Sequence, residues 1–445
     1  MTVLIHLNRF FSCKHKVITL KVVGFLVLFL SSGNTIAEPQ AILFKQMVTG
    51  SAVLQKNPIL IVDGDRIVKV VTDPSDIPTN SKIIDLSRFT AIPGLIDAHV
   101  HMTFALDENV KTAPWQFLAA TPAPSLLFYA QDNARKTLET GVTTVRDLSS
   151  SEYLNIQMRN LIEKGLMEGP RIFAAGYGLR PTSSPSKPGY SSPSGGRADG
   201  AKEVMQAVRQ QIAAGADWIK LFGSTGSGND TTDIQTFTYD EIKVAVDLAH
   251  QMGKRVAFHS YGLNATRDAV RAGVDSIEHA VGLDRKTMKA MVKQNITYVP
   301  TIDHNRYYID SKSLYGYGPE TVNSLHDFIQ RNLDTTREAH KLGVRIAMGS
   351  DAVFTMFGQN TKELEWFVKA GMTPAEALSA ATVNGAELLG MEDQLGQLKA
   401  GYYADIVAVE GDPLKDIRAV TEGVRWVMKA GNIVIDKTEK EVATQ

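Results

Sequence analysis

Thr238-Tyr239-Asp240-Glu241-Ile242-Lys243-Val244-Ala245-Val246-Asp247-Leu248-Ala249-His250-Gln251-Met252-Gly253-Lys254-Arg255-Val256-Ala257-Phe258-His259 contains the repeating unit of the fold. Thr238 with Glu241 three residues later is a capping box, which opens a helix by satisfying two orphan backbone donors. Ile242, Ala245, Val246 and Ala249 recur at helical spacing and make one apolar face. Gly253 ends the helix, and Arg255 to His259 is a short apolar run closing on a histidine. The same order recurs on both sides. Val204, Ala207, Val208 and Ile212 share a face ended by Gly215, before Trp218-Ile219-Lys220. Ala265 to Ala272 stops at Gly273 before Val274 to His279. A helix around Val322 to Leu342 stops at Gly343 before Arg345 to Asp351, and Gly141 precedes Val142 to Asp147.

Repeated helix, glycine and strand units predict parallel strands joined by crossover helices. Many such units in one run favour a (β/α)8 TIM barrel, here over residues 93–390, rather than an open doubly wound sheet. No G-x-G-x-x-G or G-x-x-x-x-G-K-[ST] loop follows an early strand, which weakens a nucleotide-binding alternative. The two ends read differently. Ile59 to Val62 and Ile67 to Val71 flank an Asp63-Gly64-Asp65 turn, a hairpin signal. Asp405 to Val409, Val424 to Lys429 and Ile433 to Ile435 have the same texture. Residues 38–92 and 391–445 are therefore expected to build one small β-sandwich domain from both chain ends. The Pro-, Ser- and Gly-rich stretch Arg180 to Gly200 is either a surface loop or the cover of a pocket at the barrel's mouth.

The chain has 445 residues, 44% of them hydrophobic and 21% charged, which excludes a disordered or fibrous polymer. Lys and Arg number 47 against 48 Asp and Glu, so no basic excess points to nucleic acid. The one cysteine, Cys13, excludes a disulfide scaffold and lies in a distinctive N-terminal segment. Arg9, Lys14, Lys16 and Lys21 precede the apolar run Val22 to Leu30, and Thr35-Ile36-Ala37 precede Glu38. This pattern predicts a signal peptide over residues 1–37 and an exported, periplasmic or secreted protein. The run is too short for a membrane span, which needs ~20 residues. Removal of that leader takes four cations, no acidic residue and the cysteine, leaving an acidic chain without thiolates for a metal.

Ligand-type side chains close several of the predicted strands. In Gly94-Leu95-Ile96-Asp97-Ala98-His99-Val100-His101, residues i and i+2 of a strand point the same way, so His99 and His101 can grip one ion. Lys220 sits in an otherwise apolar run, where burial would lower its pKa and expose a neutral amine. Such an amine can take up CO2 as a carbamate that bridges two cations. His259, His279 and Asp351 end three further strands, and strand ends of a barrel converge on its C-terminal mouth. His250 and His340 read as solvated helix residues, and His326 lies in a polar helical stretch. His304 reads as a plain loop histidine after Val299-Pro300-Thr301, with reach to substrate as the alternative.

The order Pro93-Gly94-Leu95-Ile96-Asp97-Ala98-His99-Val100-His101, Gly141-Val142-Thr143-Thr144-Val145-Arg146-Asp147, Lys220, His259, Ser276-Ile277-Glu278-His279 and Gly349-Ser350-Asp351 resembles the amidohydrolase superfamily. The tail Gly401-Tyr402-Tyr403-Ala404-Asp405-Ile406-Val407 is similar to that family's return into its small β-domain. Within the superfamily the chain looks most like the imidazolonepropionase-like branch, with its zinc Xaa-Pro dipeptidases, carboxypeptidases and ochratoxin-type amidases. The resemblance implies two divalent ions, zinc by preference, with one on His99, His101 and Asp351. It places the other on His259 and His279, with carboxylated Lys220 bridging both. A bridging hydroxide would attack the amide, Asp351 would act as general base then acid, and Tyr261 would meet the developing oxyanion.

The sequence departs from that branch at two places. Residues 177–200 contain no histidine where relatives often carry one, so Arg180 or Arg197 is the candidate for a substrate carboxylate. Phe357 precedes Gly358 where relatives often have a histidine. The expected function is an exported binuclear amidohydrolase, a dipeptidase or carboxypeptidase of Xaa-Pro type acting on a small peptide or amide. A hydrolase of cyclic amides or N-acyl amino acids is the enzyme alternative, and a non-catalytic barrel scaffold the remote one. Neither the native metal nor homo-oligomerisation is legible in the sequence.

Overall fold

Eight parallel segments ring the middle of the chain in the computed structural model, which describes residues 38–49, 54–107, 109, 112–184 and 196–439. The expected signal peptide with Cys13, and residues 185–195 of the Pro-, Ser- and Gly-rich stretch, lie outside the described residues. Leu95–Val100, Val142–Asp147 and Arg171–Ala174 form one parallel arc. Gly178–Leu179, Trp218–Phe222, Arg255–His259, Ser276–Glu278 and Thr297–Val299 form the other. Arg171–Ala174 and Gly178–Leu179 are two pieces of the third barrel strand, interrupted at Gly176 with φ 70°. Asp217 N donates to Ala174 O at 2.7 Å and joins the arcs there.

The eighth segment, residues 345–352, closes the ring without a regular ladder. Ala347 N donates to Tyr298 O at 3.0 Å, and Tyr298 N to Arg345 O at 2.8 Å, on the seventh-strand side. On the first-strand side, Ala98 N donates to Met348 O at 2.8 Å and Asp351 N to His99 O at 2.7 Å. Gly349 permits this fit, because a Cβ there would stand 2.4 Å from Val299 Cγ1 and 2.9 Å from His99 Cβ. The fold is thus an α/β TIM barrel, and its strands are apolar because both of their faces are covered.

The helices follow the sequence pattern. Tyr239–Gln251 begins with the Thr238–Glu241 capping box, Leu263–Ala272 ends on left-handed Gly273, and Pro319–Lys341 spans the region expected around Val322. In Gly200–Ala213 the buried face includes Gln211, while Ile212 is only half-buried. Gln211 is drawn inward because its Oε1 accepts the Tyr177 backbone N–H at 2.8 Å.

Strands from both chain ends share one sheet, in the order Asn432–Asp436, Val424–Lys429, Ile406–Val409, Lys82–Pro93, Gln40–Val48, Ile59–Asp63 and Arg66–Val71. This small β-sandwich encloses its own core of Ile42, Phe44, Leu60, Leu86, Ile406, Trp426 and Met428. Lys82–Pro93 leads straight into the first barrel strand through Gly94, where a Cβ would meet Thr143 Oγ1 at 2.2 Å. No helix among the described residues is long and apolar enough to cross a membrane.

Candidate active site

The barrel brings the six predicted ligand side chains together at its C-terminal end. His99 is on the first strand, His101 one residue past it, Lys220 on the fourth, and His259 closes the fifth. His279 follows the sixth strand and Asp351 lies in the closing segment, both in left-handed backbone (φ 69° and 52°) that aims them inward. Ring centroids are 5.5 Å apart for His99 and His101, 4.8 Å for His99 and His279, and 4.7 Å for His259 and His279. Donor atoms of His99, His279 and Asp351 all lie within 4.8 Å of one another. Lys220 is fully buried, so it does not snorkel to the rim, and its Nζ is 3.5 Å from His99 Nε2.

Hydrogen bonds behind the site settle which imidazole nitrogen faces it. His99 Nδ1 is 2.9 Å from Glu278 Oε2, and His101 Nδ1 is 3.1 Å from the Ser149 carbonyl. Both partners only accept, so each Nδ1 carries a proton, and in a neutral ring the Nε2 lone pair turns inward. Asp351 Oδ1 lies 3.5 Å from His99 Nε2, acceptor against acceptor, and 3.2 Å from His101 Nε2. His259 Nε2 and Asp351 Oδ1 are buried without a hydrogen-bond partner among the described residues. Lone pairs converging with no proton between them fit a cation, and imidazole with carboxylate is the donor set of borderline divalent metals.

Burial tunes these groups for that role. It is the main reason that His99 falls to about 4, helped by nearby Lys220, so the ring stays neutral at ordinary pH. His259 and His279 are lowered well below the usual imidazole value, again by burial first. Burial brings Lys220 down to about 8, within reach of a neutral amine. Burial raises Asp351, but His304 and His99 outweigh it and hold the carboxyl well below the usual range.

Sequence reasoning assigned no role to the residues that hold this set from behind. Glu278 bonds His99 Nδ1 with one oxygen and the buried Arg146 guanidinium, at 2.9 Å, with the other. Burial raises Glu278, yet Arg146 and His99 prevail and bring it to about 2. Arg146 also donates to Ala98 O and Ser276 Oγ. Asp97 accepts from Ser350 and Asn360, pinning the closing segment to the first strand. The available signal was charge within otherwise apolar strands, where an unpaired ion is too costly to bury.

The ligand set opens into a cavity of about 250 Å³. Tyr261 lines it, stacked at 5.1 Å on His259, with its hydroxyl kept protonated by burial and by the Asp351 charge. Arg180 also lines it, its guanidinium 4.1 Å from the Phe222 ring centroid. Arg197 does not, and donates instead to the carbonyls of Pro181 and Thr182. His304 is not a loop residue. It lies buried on the helix Ile302–Asp310, with Nε2 3.3 Å from Asp351 Oδ2. Phe357 is buried in the hydrophobic core and takes no part in the cavity wall. His326 is exposed, and His250 pairs with Asp275 at 2.8 Å.

Comparison with known proteins agrees with this geometry. The Amidohydrolase family profile matches residues 90–434. An ochratoxinase from Aspergillus niger is 30% identical over 419 residues, 87% of this chain and 85% of that one. A solved Xaa-Pro dipeptidase with methionine bound in its active site is 31% identical, with a TM-score of 0.79 over 89% of this chain and 99% of that one. A prolidase complexed with N-methylphosphonate-L-proline is 28% identical, with a TM-score of 0.79 over 89% and 100% of the two chains. With a profile match spanning most of its length and a buried His-His-Asp cluster that could hold a metal ion, the chain is a hydrolase of carbon–nitrogen bonds and belongs to the amidohydrolase family.

Proposed function

We propose that this protein is an exported binuclear metallohydrolase that cleaves the amide bond of small Xaa-Pro dipeptides or of related C-terminal residues. The observation that carries this reading is the convergence of six buried N and O donors on a cavity that also holds one guanidinium, Arg180. His99, His101 and Asp351 would hold one ion, and His259 and His279 the other, with Lys220 as its carbamate between them. Zinc suits the imidazole and carboxylate set. When bound, the ions supply Lewis acidity and a nucleophile active near neutral pH. Asp351 accepts a proton through its carboxylate and returns it to the leaving nitrogen, with His304 at 3.3 Å holding its other oxygen. The Tyr261 phenol donates toward the carbonyl oxygen as charge develops there. Arg180 pairs with the free carboxylate of the leaving amino acid.

A second reading, hydrolysis of N-acyl aromatic amino acids, is favoured by the aromatic walls of the cavity. Phe104, Trp115, Tyr177, Phe222 and Tyr308 line it. The similarity to an ochratoxinase points the same way. Both substrate classes leave an amino acid with a free carboxylate, so the machinery is shared and the acyl pocket decides. Zinc-loaded protein assayed on an Xaa-Pro panel and on N-acyl phenylalanines separates them. Proline release is the expected result, and no turnover of any dipeptide would sink the first reading. Export rests on the basic and apolar pattern of residues 1–37, and a mature N-terminus found at Met1 in the secreting host refutes it.

A further inference from the structure

We infer that Glu363, which lies outside the cavity, is a positioning residue for the metal site. Through Thr301 it orients His279, and through the helix it caps it sets His304 against Asp351. This rests on the metal-site reading above.

Glu363 is fully buried at the start of the helix Glu363–Lys369. Its two oxygens accept backbone N–H groups of Ile302 at 2.9 Å and Asp303 at 2.8 Å. These are the first two donors of the helix Ile302–Asp310, orphan groups at the positive end of its dipole. Thr301 is the N-cap of that helix, a residue type that ordinarily caps with its own hydroxyl. Here it makes no capping bond. Its Oγ1 lies 2.6 Å from His279 Nδ1 instead, and Glu363 supplies the missing cap from 60 residues away.

The backbone shows what this arrangement costs. Thr301 sits at φ 54°, ψ 44°, a left-handed conformation that a β-branched residue avoids. Such strain persists only where the surroundings enforce it. Glu363 grips the next two amides, and the Thr301 hydroxyl is thereby held against His279. Where Nδ1 donates to the Thr301 hydroxyl, His279 presents its Nε2 lone pair to a cation. One turn on, the same helix carries His304, 3.3 Å from Asp351. A buried carboxyl group that touches neither substrate nor ion thus sets two residues of the site.

Two variants test this in full-length protein, Glu363→Gln and Thr301→Val. Gln keeps the volume but offers one acceptor where two are needed, and Val removes only the hydroxyl. In metal-free protein, 15N NMR of the imidazoles should show a His279 Nδ1–H protected in wild type and lost in both variants. The His101 Nδ1–H bonded to Ser149 serves as the unchanged control. Zinc titration should show one of two sites weakened roughly 10–100-fold, the usual cost of losing such a partner. A Thr301→Val protein with wild-type zinc affinity and an unchanged His279 signal overturns the inference, and so does a folded Glu363→Gln with both unchanged. Should Glu363→Gln not fold, Thr301→Val decides alone. The zinc count of wild-type protein tests the underlying metal reading separately.

Discussion

Glu278→Gln keeps the side chain's shape and removes its charge, which isolates the ion pair beneath the metal site. Arg146 on the second strand and Glu278 on the sixth are both fully buried and meet 2.9 Å apart across the barrel interior. The guanidinium has two neutral partners, Ala98 O and Ser276 Oγ, and Glu278 carries the balancing charge. Removing one member of a buried pair costs about 3–5 kcal/mol, because the other ion is left uncompensated. Unfolding entropy of ~2.1 cal/mol/K per residue gives ~0.9 kcal/mol/K for a chain of this length, so melting should fall by roughly 3–6 °C. Scanning calorimetry of metal-free protein measures this without interference from metal binding. The double variant Glu278→Leu with Arg146→Met replaces both ions by apolar groups and should recover most of the loss, since such swaps are often close to neutral. A single variant melting within about 1 °C of wild type, or a double variant showing the sum of the two single losses, refutes the reasoning.

Lys220→Ala should cut amide hydrolysis by at least about 100-fold, since a bridging ligand outranks the outer-shell partners whose loss costs 10–100-fold. A short carboxylate added to the assay should restore part of it, and a fully active variant excludes the carbamate. Gly226 packs so closely that a Cβ would lie 2.3 Å from Tyr261 Cδ2, and its φ of 99° disfavours any side chain. Gly226→Ala should therefore cost about 1–3 kcal/mol and displace Tyr261, lowering kcat more than it raises KM. Unchanged kcat/KM would show that Tyr261 tolerates the shift. Asp284 caps the helix Arg285–Gln294, and Arg267, then the Thr287 amide, lower its carboxyl to about 2. Asp284→Ala should lose about 0.5–2 kcal/mol at neutral pH. Because the folded pKa lies below the unfolded 3.8, that stability is full above pH ~4 and disappears as pH falls toward 2. Urea melts at several pH values should show the gap closing on acidification, and a pH-independent gap contradicts the assignment.

Much of this molecule was legible locally. The Thr238–Glu241 box, the exit glycines and the apolar runs are short-range signals, and the helices and parallel strands formed where those signals lay. His99 and His101 could be paired from the two-residue period of a strand alone. Other features had no local signature. Arg146 and Glu278 are 132 residues apart, and nothing near either one names the partner. His304 reads as a loop residue because Pro300-Thr301 looks like a turn. The helix that carries it begins there, with its first two amides bonded to the distant Glu363. The break of the third strand at Gly176, where Gln211 and Tyr153 crowd the backbone, is another such feature.

The identity and order of the donors follow from the chain alone. Nitrogen and oxygen ligands sit at the ends of predicted strands, with no cysteine after Cys13, so any metal held there must accept that set. How those donors are used depends on contacts made in the folded protein. Burial lowers the pKa of Lys220, His99, His259 and His279, and Glu278 and Ser149 engage Nδ1 of His99 and His101. The Thr301 hydroxyl lies 2.6 Å from His279 Nδ1. Arg180, but not Arg197, reaches the cavity. Periodicity and residue type are properties of neighbours in the chain. Desolvation, tautomer and hydrogen-bond partner depend on groups brought together from distant segments, and folding supplies them.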